Sequence, residues 1–285
     1  MFWNFVAFDY FTSYAKCSKT RFGFASTQVW QASGLSLTQV DGRLVPVSLT
    51  RRPGPTSSKM TETVACRTLL WIVLKIMDRI ASDDQSPAGA QVSRLSNEPS
   101  ISPSSPSETP VNWGKVDGYL SDWYSRVPDS FEPCFRIPQE QEAYLQTANT
   151  SGLAMSNNFG ASMQGLFIAN PMGAASIPLY HFSRILTLLH GPFADQNIAS
   201  STGPGRLQAH RQFSQLVGHH ASEIYAAAIG KPHAAVQMHL VLPLSLAGLC
   251  LDSPGQKTAL KELLLELQAE TGILTTWAIE KFKNP

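Results

Sequence analysis

The chain has few cysteines, and no two of them are spaced for a metal site or a redox centre. Its four cysteines stand far apart, at Cys17, Cys66, Cys134 and Cys250. No C-x-x-C pair is present, so none of them has the spacing of a zinc ligand. The opening segment, MFWNFVAFDYFTSYAK, lacks the basic region and the small-residue cleavage site of a secretory leader. We therefore predict reduced thiols in an intracellular protein.

The chain also lacks a strong net charge of either sign. Its formal net charge is +1, which argues against a surface built mainly to bind nucleic acid. The first 60 residues are nevertheless basic, with Lys16, Lys19, Arg21, Arg43, Arg51, Arg52 and Lys59 against Asp9 and Asp41. The basic residues Arg43, Arg51, Arg52, Lys59 and Arg67 are spread over a proline-rich loop that has no interleaved aromatics. This pattern is more typical of a solvated loop, or of a contact with an acidic partner, than of phosphate binding.

No apolar run is long enough to cross a membrane, which takes about 20 consecutive apolar residues. The stretch ACRTLLWIVLKIMDRIASDD, residues 65–84, is interrupted by Arg67, Lys75, Asp78 and Arg79. The stretch 234–251 is interrupted by Gln237, His239 and Pro243. We predict that the first is a core helix with its basic residues at the edges of an apolar stripe, and the second a kinked buried helix.

The apolar residues of the remaining segments recur at helical spacing. The pattern is strong in 62–81, 172–192 and 258–272, shorter in 116–124, and weak in 1–40. No convincing period of two is present. The segment 37–62 contains Asp-Gly and three prolines, which we expect to break regular structure. We predict an all-α fold, an irregular multi-helix body interrupted by a disordered Ser/Pro-rich linker.

That linker is predicted at residues 82–110, SDDQSPAGAQVSRLSNEPSISPSSPSETP. Its composition cannot bury enough apolar surface to offset the entropy lost on ordering. It separates a predicted N-terminal helical part with a basic Pro-rich loop, 1–81, from a predicted C-terminal helical body, 111–285. Ser86, Ser102 and Ser105 each precede a proline and are candidate sites of proline-directed phosphorylation; an unmodified tether is the alternative.

Catalytic motifs are missing at the spacing that their chemistry requires. The chain has no G-x-S-x-G, no Walker loop and no G-x-G-x-x-G. Its seven histidines form no H-x-x-x-H pair, and adjacent His219 and His220 would point about 100° apart on a helix. We predict structural histidines, no metal, no cofactor and no catalytic residue. An enzyme would need His210, Arg211, His220 and Tyr225 to share a pocket and to have perturbed pKa values.

Four blocks follow one another in an order that is recognisable as a whole. They are residues 33–85, 119–137, 180–192 and 238–282. The last contains Pro243, Leu244, Ala247 and Gly248, then a DSPGQ break, an acidic leucine-rich helix and an aromatic terminal segment. In order and spacing, these blocks resemble the regulatory body of the fungal zinc-cluster (Zn2Cys6) transcription factors.

The resemblance implies an all-helical effector body of a nuclear transcription regulator that controls metabolic genes, secondary-metabolite genes among them. It also implies contacts with other transcription factors or with the transcription machinery, as a homodimer or a heterodimer. Nuclear localisation rests on the resemblance alone, because the chain has no classical import signal. A helical enzyme or a cytosolic scaffold is the alternative function.

The family's DNA-binding head is absent from the chain as written. That head needs six cysteines, C-x2-C-x6-C and a second such set, and the four cysteines here do not match it. We therefore expect no sequence-specific DNA binding from this chain. Two explanations stay open: a headless member of the family, or a longer protein whose N-terminal part is missing from the sequence.

Overall fold

The structure, a computed structural model, describes residues 2–22, 27–50, 59–84, 112–137, 165–191, 203–230, 232–251 and 254–282, which are mostly helical. The helices are α1 Phe2–Lys16, α2 Thr27–Ala32, α3 Val47–Thr50, α4 Glu62–Asp84, α5 Trp113–Ser125, α6 Pro171–His190, α7 Gly203–Ile229, α8 Ala234–Gln237, α9 Val241–Cys250, α10 Pro254–Thr271 and α11 Thr276–Lys281. The predicted all-α class is confirmed. Most of the predicted linker, from residue 85 to 110, lies outside the described residues.

Two small antiparallel sheets accompany the helices, and the prediction of no strands is wrong at these places. Strand β1, Leu37–Val40, pairs with β2, Arg43–Pro46. They are joined by Asp41 and Gly42, which have φ values of 51° and 75°. A two-residue Asp-Gly turn with both φ positive matches the twist of the flanking strands. The Asp-Gly pair therefore builds a hairpin instead of breaking the structure, and its four-residue strands are too short to show a clear period of two.

The second sheet pairs β3, Phe135–Ile137, with β4, Gly165–Phe167. Phe135 lies opposite Phe167, and their rings stack with centroids 4.8 Å apart. Aromatic pairs across neighbouring strands stabilise such short ladders.

The contacts divide the chain into two compact units. The first comprises Met1–Asp129 and Ser183–Gln215, and the second comprises Ser130–Phe182 and Leu216–Pro285. Helix α5, which the sequence interpretation assigned to the C-terminal body, packs on α4 within the first unit. The predicted division into 1–81, 82–110 and 111–285 stays a prediction.

Helix α4 is the core helix of the first unit, as its apolar stripe predicts. Trp123 of α5 is fully buried, and its indole N–H donates to the Ala65 carbonyl at 2.8 Å. The helix continues through residues 82–84, which the sequence interpretation placed in the linker. Lys75, expected at the edge of the stripe, is only 8% exposed and lies over the Trp71 ring. No helix of the described residues is both long enough and apolar enough to span a bilayer.

Helix α9 is the most apolar helix of the second unit, and its residues 241–248 are buried on all sides. The predicted kinked helix is two helices, α8 and α9, separated by a turn at residues 238–240. Pro243 lies in the first turn of α9, where its missing N–H costs no helical hydrogen bond. Near the end of α9, a Cβ built on Gly248 would stand 2.4 Å from the Phe282 ring. The absence of a side chain at Gly248 therefore lets the terminal aromatic segment pack directly on the helix.

Candidate functional sites

The candidate phosphorylation sites Ser86, Ser102 and Ser105 lie outside the described residues, as do Arg51 and Arg52. The phosphorylation of these serines therefore stays a prediction.

Two residues of the basic loop are engaged within the fold. Lys59 forms an ion pair with Asp129. Arg67 donates from Nη1 to the Gly34 carbonyl at 3.0 Å, and its guanidinium lies 5.3 Å from the centroid of the Trp3 ring. These contacts place both cations against partners of their own chain.

Two histidines that are far apart in the sequence form a buried pair in the second unit. His181 of α6 and His220 of α7 are 7% and 9% exposed, and their Nδ1 atoms are 2.8 Å apart. At that distance one Nδ1–H donates a hydrogen bond to the unprotonated Nδ1 of the other ring, so the two rings have different tautomers. The exposed His219 ring makes edge contact with His181.

The histidine pair was missed because the sequence analysis compared histidines only along one helix. A signal was available: His181 lies between Tyr180 and Phe182, in an apolar helix where a buried polar side chain requires a partner. The two Nδ1 atoms bond to each other, and no three His, Cys, Asp or Glu side chains of the described residues are placed to hold a metal ion.

The residues proposed for an enzymatic pocket do not share one environment. His210 and Arg211 are exposed, whereas His220 and Tyr225 are buried. Burial, reinforced by the negative charge of Glu262, raises the pKa of the Tyr225 phenol, so this hydroxyl holds its proton at neutral pH. The arrangement therefore gives the enzyme alternative no support.

Two buried carboxylates of the first unit hold the segment that follows α1. Asp9 accepts hydrogen bonds from the backbone N–H groups of Arg21 and Phe22, at 2.7 and 2.9 Å. Asp78 of α4 accepts from both the N–H and the hydroxyl of Thr20, each at 2.8 Å. Burial raises the pKa of Asp78, and the bonds from Thr20 oppose that shift. These carboxylates serve the fold, because Oδ2 of Asp9 and Oδ1 of Asp78 accept hydrogen bonds from the neighbouring segment.

A cavity of about 290 Å³ lies in the first unit, beside the beginning of α4 and the end of α5. Its apolar lining includes Leu35, Val47, Met60 and Val64, and its polar lining includes Ser36, Ser48, Lys59 and Arg126. Arg126 is the C-cap residue of α5 and is only 4% exposed. Its Nη2 atom is buried and has no hydrogen-bond partner. Nothing in the sequence predicts this cavity, because its walls come from four separated segments.

Comparison with known proteins provides one informative relative. The chain is similar to the transcription activator AMTR1 of Alternaria alternata, with 21% identity over 285 residues. The alignment covers 99% of this chain and 34% of the relative, so the chain spans about a third of the length of the protein that it matches. No protein-family model matches the chain. No solved structure matches it either.

The relative is a fungal transcription activator, which supports the prediction of a transcription regulator, whereas membership of the zinc-cluster family stays a prediction.

Proposed function

We propose that the chain is the helical effector region of a transcription regulator that controls metabolic genes, secondary-metabolite genes among them. The observation that carries the proposal is the similarity to a transcription activator along nearly the whole chain. The order of the sequence blocks also supports the proposal, because it resembles the same class of protein.

The region acts in the nucleus, through contacts with other transcription factors or with the transcription machinery, as a homodimer or heterodimer. The charge distribution supports protein contacts over DNA contacts. The net charge is +1, and a domain that binds DNA electrostatically carries a basic patch on one face. Lys59 and Arg67, which lie in the most basic part of the chain, are held by intramolecular partners.

A tethering assay tests the proposal. Residues 1–285 are fused to a heterologous DNA-binding domain, and reporter output is compared with that of the DNA-binding domain alone. We expect a severalfold change in output. A second fusion lacks residues 85–110, so that α4 is kept to its last residue, Asp84. An altered response of this fusion would assign a regulatory role to the Ser/Pro-rich segment.

Two substitutions in α9 test whether the reporter response requires the folded protein or arises from the unfolded chain as well. Leu246 is buried and Leu249 is half-exposed. Leu246→Asp places a charge in the core and should abolish the reporter response, because a buried unpaired charge unfolds the unit. Leu249→Asp is the matched control and should keep the reporter response, because residue 249 is half-exposed.

The effector proposal fails if the full-length fusion, present in the nucleus at normal level, leaves reporter output unchanged. It also fails if Leu246→Asp leaves the response intact. A fluorescent fusion of the chain, expressed alone and with a complete zinc-cluster factor, tests localisation, and exclusion from the nucleus in both cases contradicts the nuclear assignment.

A further inference from the structure

The outer face of helix α1 exposes two aromatic rings to solvent. Phe5 is 57% exposed and Phe8 is 65% exposed, whereas Val6 and Tyr10 on the inner face are buried. With about 200 Å² for a whole phenylalanine side chain, the two rings together present about 250 Å² of apolar surface. Because they lie one helical turn apart, they form a continuous patch, and exposed apolar patches are typical of binding surfaces.

The same face of α1 stays uncharged until the helix ends. Thr12 and Ala15 continue the line of Phe5 and Phe8 at helical spacing. The Thr12 hydroxyl already donates to the Phe8 carbonyl at 2.8 Å, so it requires no partner from outside the helix. Lys16 is the last residue of α1 and is exposed. The face is therefore a stripe about three turns long, with aromatic rings at one end and a cation at the other.

Two more cations lie beside this stripe, because the chain turns back after α1. The Ser18 N–H donates to the Ser13 carbonyl at 3.1 Å, and the Arg21 N–H donates to Oδ2 of Asp9 at 2.7 Å. The returning segment therefore runs antiparallel to α1 and reaches its middle turns. Lys19 and Arg21 belong to this segment and are both exposed. They place two positive charges along one edge of the helix.

No carboxylate neutralises these cations. Asp9 is the only acidic residue between positions 2 and 22; it is 8% exposed, and its Oδ2 accepts from the backbone of the returning segment. In the part of the chain that the structure describes, no ion pair joins Lys16, Lys19 or Arg21 to an acid. The surface therefore carries three positive charges and no exposed negative charge next to its aromatic patch.

Shape and charge select the kind of partner. A straight apolar stripe on a helix matches the apolar face of a second helix, whose side chains recur at i, i+3, i+4 and i+7. Cations along one edge match acidic side chains along one edge of that second helix. A second copy of the same surface would add three more cations and supply no acid. Two rings are also a small area for holding a protein on a bilayer, where binding scales with the apolar area buried.

We propose that this surface, formed by Phe5, Phe8, Lys16, Lys19 and Arg21, binds an acidic amphipathic helix of another protein. The apolar side chains of the partner pack on the two rings, and its carboxylates pair with the three cations. The inference rests on the proposed function in one respect, that the region acts through protein contacts. It adds the surface and the chemistry of one such contact.

Fluorescence anisotropy with the full chain measures the binding. The probe is a labelled, designed helical peptide with leucines at i, i+3, i+4 and i+7 and glutamates along one edge of the leucine stripe. One control peptide has lysines in place of the glutamates, and another has serines in place of the leucines. We expect a micromolar dissociation constant for the acidic peptide, at least about tenfold below that of either control. Added salt should weaken the binding, because it screens exposed charges.

Two double variants locate the binding on α1 and the segment that follows it. Phe5→Ser with Phe8→Ser removes the aromatic patch and should weaken binding of the acidic peptide by at least about tenfold. Lys16→Glu with Lys19→Glu reverses two of the three charges. This variant should lose the acidic peptide and gain binding of the lysine peptide. That exchange of partners requires a folded surface, because an unfolded variant would bind neither peptide.

Matched control variants change similar side chains elsewhere. Leu207→Ser removes an apolar side chain of α7 that is 54% exposed, and Lys261→Glu reverses an exposed charge of α10. Both should bind the acidic peptide like the unmodified protein. All four variants should keep its melting temperature, because the substituted side chains are exposed.

The proposal is overturned if the acidic peptide does not bind, if the three peptides bind equally, or if Phe5→Ser with Phe8→Ser binds like the unmodified protein. Two further probes are vesicles of phosphatidylcholine and phosphatidylserine in equal parts, and a single-stranded oligonucleotide. Binding to either of these without binding to the acidic peptide also overturns the proposal and assigns the surface to a membrane or to nucleic acid.

The tethering assay separates this proposal from the proposed function. Peptide binding that depends on Phe5 and Phe8, together with an unchanged reporter output, would reject the transcription function and leave the α1 surface standing. A reporter response without any peptide binding would reject the α1 surface and leave the transcription function standing.

Discussion

Replacing Gly230 by alanine should destabilise the protein, whereas the same change at Gly218 should stabilise it. Gly218 lies within α7, and a Cβ built there meets no atom within 4 Å. Gly230 directly follows α7 and is buried against β4. A Cβ built on Gly230 would stand 2.1 Å from the Leu166 carbonyl oxygen and 2.8 Å from its carbon. The added Cβ would clash with backbone atoms of Leu166, so no side-chain rotation relieves the clash.

The two effects have opposite signs and comparable sizes. In a helix interior, alanine is favoured over glycine by up to about 1 kcal/mol, and Gly218→Ala should gain most of that. At residue 230 the extra methyl must displace the end of α7 or β4, and overpacking of this kind costs about 1–3 kcal/mol. Alanine also lowers the conformational entropy of the unfolded chain, which stabilises the folded protein by about 0.4–1 kcal/mol. The net expectation for Gly230→Ala is a loss of about 1–2 kcal/mol.

Thermal and urea denaturation of both variants, followed by circular dichroism, test this reasoning. One kcal/mol corresponds to about 2–4 °C in melting temperature for domains of 150–250 residues. Gly230→Ala should therefore melt several degrees below the unmodified protein and Gly218→Ala a few degrees above it. Equal melting temperatures for the two variants would refute the close approach of α7 to β4.

Three further outcomes follow from the buried polar groups. Because burial raises the pKa of Asp78 above 3.8, the folded protein binds this proton more tightly than the unfolded chain. The free energy of unfolding should therefore fall as pH rises from 3.8 through the raised pKa, and this fall should be smaller in Asp78→Asn. Urea denaturation at a series of pH values measures both. Burial lowers the pKa of His239 below 6.5; stability should be lost as pH falls through the window below 6.5, and His239→Gln should reduce that loss in the same assay. His220→Phe should lower the free energy of unfolding by about 1–3 kcal/mol, because it removes the hydrogen bond to the buried Nδ1 of His181. In a double-mutant cycle, the variant with both His181→Phe and His220→Phe should lose less than the sum of the two single losses. Additive losses would show that the two rings are not coupled.

The helical segments could be predicted because their evidence is local. The stripe of α4 and the leucine face of α10 repeat at helical spacing, and the structure places α4 at residues 62–84 and α10 at residues 254–271. Helix starts were harder to place. The hairpin at Asp41 and Gly42 also has a local signal, because an Asp-Gly pair can join two strands as well as end regular structure.

The candidate sites depended on contacts that no local pattern records. Neither the 2.8 Å approach of His181 to His220 nor the burial of Lys75 follows from the spacing of residues within one helix. Both depend on which faces of different helices meet. The candidate cavity likewise combines residues 34–36, 47–48, 59–64 and 126, and only packing brings them together.

The sequence by itself determined the helical class of this protein, the approximate extent of its main helices and the order of blocks that pointed to a transcription regulator. These properties follow from periodicity and composition, which act over a few turns of chain. The tertiary structure alone decided that residues from four separate segments line one cavity and that Asp78 accepts hydrogen bonds from Thr20. The free energy of a buried polar group depends on what surrounds it in space, and those surroundings exist only after distant segments have packed.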